Sequence, residues 1–124
     1  MFITLSNTNP DPLYKQVKDQ IVHAIITGDL KEDELLPSIR AMANELNISV
    51  ITIKRAYADL ENEGYIITRP GLGSFVNTVN KESLKSGKII ELREKLRDIV
   101  NEACKYNIKT DDIIRIINEI KEER

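Results

Sequence analysis

The sequence predicts a mainly α-helical fold with one small β hairpin and a helical pair at its end. Three observations carry that expectation. Two short runs with apolar residues at three-and-four spacing, one holding Ile39, Met42, Ala43 and Leu46 and the other Ile53, Ala56, Tyr57 and Leu60, are separated by a tight turn. Two β-prone runs follow, Tyr65-Ile66-Ile67-Thr68 and Ser74-Phe75-Val76, on either side of Arg69-Pro70-Gly71-Leu72-Gly73. The remainder reads as charged helix with isoleucine-rich stripes. The pattern is a winged helix-turn-helix over residues 1–78, followed by a two-helix dimerisation hairpin over residues 79–124.

Composition bounds the function before any motif is read. The chain has 124 residues, enough for one ordinary domain or a small domain with an appendage, and too few to add a large catalytic domain. Its 41% hydrophobic and 31% charged content describes a soluble globular protein. No apolar run has the length of a membrane span, and the start lacks the pattern of a signal peptide, so a cytoplasmic protein with no membrane partner is expected. The lone Cys104 excludes an intrachain disulfide framework, and the lone His23 has no companions at metal-ligand spacing. No set of nucleophile, base and orienting group is present, so no enzymatic activity, cofactor or metal is expected.

Taken in order, residues 2–5 suggest a short strand and residues 6–10 a polar loop. Asp11 is placed to cap a first helix with Pro12 in its first turn. Leu13, Val17, Ile21, Ala24 and Ile25 supply its buried stripe until Gly28 stops it. Residues 31–35 form an acidic loop, and Leu35-Leu36 suggests a short third strand beside the hairpin. Ser38 caps the next helix, Asn47 closes it, and Ser49 caps the one after.

The buried stripe of that second short helix fixes what its other side presents. At about 100° per residue, Ile51, Arg55 and Ala58 point away from the core, with Thr52 and Lys54 on the flanks. The mixture suits a reader of the DNA major groove: Arg and Lys donate to guanine or phosphate, and an apolar side chain touches a thymine methyl. Gly64 ends the helix, and Pro70-Gly71 suggests a type II turn in the hairpin. Gly71 and Gly73 would let backbone amides approach phosphates, with Arg69 adding charge, although hairpin chemistry alone also accounts for the glycines. The formal net charge of −2 opposes a strong electrostatic contribution, so weak non-specific binding and a modest salt dependence per subunit are expected.

In the tail, Ile89, Leu92, Leu96, Ile99 and Ala103 follow helical spacing, with Gly87 obscuring where the helix starts. Residues 106–109 turn the chain, and Thr110 is placed to cap a last helix containing Ile113, Ile114, Ile116, Ile117 and Ile120. Two helices cannot bury two such faces alone, and a second copy is the expected partner. Leu92, Leu96, Ile99, Ile113, Ile117 and Ile120 are the candidate dimer contacts.

Several ordered motifs resemble the DNA-binding domain of GntR-family bacterial transcription regulators. They are Leu36-Pro37-Ser38-Ile39-Arg40, Ile53-Lys54-Arg55-Ala56-Tyr57, Leu60-Glu61, Glu63-Gly64-Tyr65-Ile66 and the run from Arg69 to Val76. Upstream, Pro12-Leu13-Tyr14, Gln16 and Gly28-Asp29-Leu30 extend the match, and Arg55-Ala56-Tyr57 with the short tail is most similar to the YtrA-like branch. The resemblance implies a homodimeric repressor on a two-fold symmetric operator, with Arg40 contacting DNA and the tail as dimerisation unit. Glu32-Asp33 stands where family members commonly have Pro-Gly, Val50 where many have Arg, and Ile51 where a polar residue is frequent. The candidate DNA contacts are Arg40, Ser49, Ile51, Thr52, Lys54, Arg55, Arg69, Gly71 and Gly73. The alternative is a protein-interaction winged helix whose isoleucine-rich tail docks another protein; neither reading specifies an effector.

Overall fold

The computed structural model describes residues 3–123 and divides into two compact units, Met1–Asn80 and Lys81–Arg124. In the first, α1 (Leu13–Thr27), α2 (Ile39–Leu46) and α3 (Val50–Asn62) precede a hairpin of β1 (Ile66–Arg69) and β2 (Gly73–Val76). In the second, α4 (Lys81–Lys105) and α5 (Thr110–Glu122) are joined by a short turn.

The first unit is organised around α3, which packs against α1, α2 and β1. Val17, Ile21 and Ile25 of α1 meet Ile53, Ala56 and Leu60 of α3, with Met42, Ala43, Ile66 and Val76 closing the same core. Fully burying each large aliphatic stabilises the unit by about 1.5–3 kcal/mol. An ion pair between Lys18 Nζ and Glu63 Oε2, at 2.6 Å, ties α1 to the end of α3.

Local chemistry sets the helix boundaries. Gly28 takes a left-handed φ of 85° at the end of α1. Ser38 Oγ accepts the Ala41 amide, Asn47 closes α2 at φ 55°, and Ser49 Oγ accepts the Thr52 amide, so the helix-turn-helix spacing is built entirely from caps. Gly64, at φ 84°, follows the last turn of α3 and releases the chain into the hairpin.

The amino-terminal segment departs from expectation. Ile3, Thr4 and Leu5 form no strand, and Phe2 lies outside the described residues. Two glutamines of α1 replace a strand partner: Gln20 accepts the Thr4 amide and donates to the Thr4 carbonyl, and Gln16 does the same for Ser6. Gln16 is buried, which makes this pairing the condition for its burial. Pro12, not Asp11, is the N-cap of α1. The Asp11 amide is taken by Asn9 Oδ1 and its carbonyl by Gln16 Nε2, while its carboxylate faces Lys15.

The proposed third strand shrinks to one bridge, Leu35 to Phe75. Asp33, at φ 65°, breaks the extended conformation before it, and Pro37 offers no N–H after it. The two strands themselves pair antiparallel with Ile66 opposite Val76 and Arg69 opposite Gly73. In the second unit α4 begins at Lys81 and passes through Gly87, where an added side chain would meet nothing. A helical glycine in such a place costs only about 1 kcal/mol relative to alanine, too little to end the helix. Lys109, not Thr110, caps α5, because Asp112 reaches back to accept the Lys109 amide at 3.0 Å.

Tyr57 joins α3 to the approach of α2: its hydroxyl donates to the Pro37 carbonyl at 2.7 Å from a buried site. Burial, reinforced by the charge of Glu45, raises its pKa above the ordinary tyrosine value. The folded chain therefore keeps a proton that the unfolded chain loses above about pH 10, so this stabilisation is complete below that pH and declines above it. Urea titrations should find Tyr57→Phe less stable by about 1 kcal/mol at neutral pH, with a shallower alkaline decline than wild type.

Candidate nucleic-acid interface

With Ile53, Ala56 and Leu60 wholly enclosed, the amino-terminal half of α3 faces solvent on its other side. Ile51 is 79% exposed there, an unusual position for a large aliphatic residue. Lys54 is exposed beside it, and Arg40, the second residue of α2, is exposed before the turn. Among the described residues neither Lys54 nor Arg40 is held in an ion pair, so both cations are available to an anionic partner. Ser49 and Thr52 share a hydroxyl contact of 2.7 Å at the start of the helix.

Two of the predicted cations are occupied. The Arg55 guanidinium stacks on the Tyr14 ring of α1 with its carbon 3.7 Å from the ring centroid. Such a contact contributes about 0.5–1 kcal/mol at an exposed site, so it orients the side chain without locking it. Arg69 turns back from the wing turn: Nη2 donates to Asp33 Oδ1 at 2.9 Å, and its guanidinium carbon lies 4.4 Å from the Phe75 centroid. Tyr14, Asp33 and Phe75 were therefore missed as members of this surface. Tyr14 and Phe75 stand within the motifs that carry the resemblance, and Asp33 in the loop where that family commonly has glycine, but nothing in the sequence pairs them with the two arginines.

The wing turn has the expected type II form, with Leu72 N–H donating to the Arg69 carbonyl at 2.9 Å and Gly71 at φ 76°. Gly73, at φ 119°, leaves room for Leu35: a side chain there would come within 3.1 Å of Leu35 Cδ1. Gly71 meets no such neighbour and needs glycine for its backbone conformation alone. Both glycines thus have a folding role at the hairpin tip.

In the second unit Leu92, Leu96, Ile99, Ile117 and Ile120 are exposed and Ile113 is half-buried. Ile99, Ile113, Ile117 and Ile120 line one apolar groove of about 340 Å³ between α4 and α5, together with Tyr106 and Ile108, whereas Leu92 and Leu96 lie outside it along α4. The hairpin alone buries only Ala103 among the apolar residues of its helices.

Among the described residues no helix is long and apolar enough to cross a membrane, and no group of His, Cys, Asp or Glu could hold a metal ion. Comparison with known proteins accounts for the architecture. Residues 13–76 match the model of bacterial regulatory proteins of the gntR family. The HTH-type transcriptional repressor YtrA of Bacillus subtilis is 28% identical over 95% of this chain and 91% of its own. A transcriptional regulator from Oenococcus oeni superposes with a TM-score of 0.70 at 32% identity, covering 96% of this chain and 98% of that one. The DNA-binding domain of AraR, solved in complex with an operator, superposes with a TM-score of 0.52 at 30% identity over 59% of this chain and 88% of that one. From its α1 to the end of its wing, the chain belongs to the GntR family of bacterial regulatory proteins.

Proposed function

We propose that this protein is a sequence-specific DNA-binding transcriptional regulator, a homodimeric repressor acting on a two-fold symmetric operator. The observation that carries the reading is the outward face of α3, where exposed Ile51 stands beside the uncommitted charge of Lys54, with the free Arg40 on α2. The major groove admits such a helix, and the face supplies both donors for base edges or phosphates and an apolar contact for a thymine methyl. Arg40 and Lys54 are the leading contacts, with Ser49, Thr52 and Ile51 at the reading end and the Gly71 and Gly73 amides approaching the backbone. Arg55 and Arg69 join only as far as their contacts with Tyr14 and Asp33 yield.

Residues 1–78 bind DNA in this reading, and residues 79–124 join two copies. Leu92, Leu96, Ile99, Ile113, Ile117 and Ile120 form the seam, because a two-fold four-helix arrangement covers apolar faces that one hairpin leaves open. Two reading helices would then address half-sites about 34 Å apart, or a multiple. The relatives support the DNA-binding repressor reading: one named as a repressor matches nearly the whole chain, and a structural neighbour is solved with an operator. Binding in the cytoplasm is the whole of the activity in this account, with no catalytic step.

Selection from a random duplex library at fixed salt should enrich a two-fold symmetric motif. Arg40→Ala should weaken binding to that motif by about 1–3 kcal/mol. Equal binding of every duplex would overturn sequence-specific reading, and an unchanged affinity in the variant would remove Arg40 from the interface.

A further inference from the structure

The Arg69 guanidinium is held from two sides. Its central carbon lies over the Phe75 ring, 4.4 Å from the centroid, and the Asp33 carboxylate accepts from Nη2 at 2.9 Å. Asp33 reaches that point from a left-handed backbone at φ 65°, a conformation that costs an ordinary L-residue roughly 1–2 kcal/mol and that Asp and Asn tolerate best. Its own amide donates to the Val76 carbonyl at 2.9 Å, which fixes the acidic loop to the end of β2. The backbone thus holds Asp33 beside the wing, where its carboxylate meets Arg69. With the two side chains 41% and 67% exposed, the pair is weak as a source of stability but large as a local change of charge.

We infer that Asp33 is a positioning residue that latches Arg69 against the wing and withholds its charge from the DNA backbone, lowering affinity for duplexes of any sequence. The inference rests on the DNA-binding reading above. It explains how a wing with an arginine beside its tip fits a chain whose net charge is −2. Without the carboxylate, Arg69 is held by Phe75 alone and can swing to a phosphate, adding one contact per subunit.

The test is a double-variant cycle in the full-length protein, titrating a random-sequence duplex across a salt series. Asp33→Asn preserves the left-handed backbone and should tighten low-salt binding while steepening the slope of log affinity against log salt by about 0.9 per subunit. The same change made in an Arg69→Ala background should have little effect. Equal tightening in both backgrounds would show that Asp33 acts as bulk negative charge and would overturn the latch, as would no change in either. Absence of duplex binding by wild type at low salt would overturn the DNA reading itself and the latch with it.

Discussion

Burial of one face of α3 is the constraint on which the other features depend. Ile53, Ala56 and Leu60 have no exposed surface, and Tyr57 adds a hydrogen bond to the Pro37 carbonyl at the entrance to α2. Rotating this helix by one residue, about 100°, would bring Thr52 or Lys54 to the place of Ile53 in the core and expose residues that the core requires. The outward face is therefore fixed by the inward one. The Asn47 turn and the Ser38 and Ser49 caps hold α2 against it, and α1 forms the opposite wall.

Much of this was legible in the sequence because its causes are local. A serine cap and the amide it accepts are three residues apart, a left-handed asparagine closes its own helix, and Pro70-Gly71 specifies its own turn. The same locality explains the errors. Thr110 is a good capping residue, but Asp112 reaching back to the Lys109 amide places the cap one position earlier. Residues 3–5 have strand-like composition, yet Thr4 is paired by Gln20 of α1, and Ser6 after it by Gln16, which no β pattern would suggest. The roles of Arg55 and Arg69 were least legible. Arg69 meets Asp33 across 36 residues of sequence, and Arg55 meets Tyr14 across a similar span.

These two arginines also change the electrostatic picture of the surface. Counting cations by position gives four candidates around the helix-turn-helix and wing, but only Arg40 and Lys54 are uncommitted among the described residues. The surface is correspondingly economical in charge, and in the proposed reading Ile51 would supply part of its contact. In the separate C-terminal unit the physical problem is the reverse. Its polar groups are solvated, but the apolar residues of α4 and α5 remain largely exposed in a single chain. The proposed second copy would resolve that problem and supply the symmetry that a paired DNA site demands.

The most direct test of the central claim, that the outward face of α3 is the DNA-reading surface, is amide chemical-shift mapping of the full chain with an enriched duplex. The account predicts the largest changes at residues 49–55, at Arg40 and at the wing turn, with the apolar seam of α5 little affected. Changes concentrated in α5, with residues 49–55 unmoved, would contradict it.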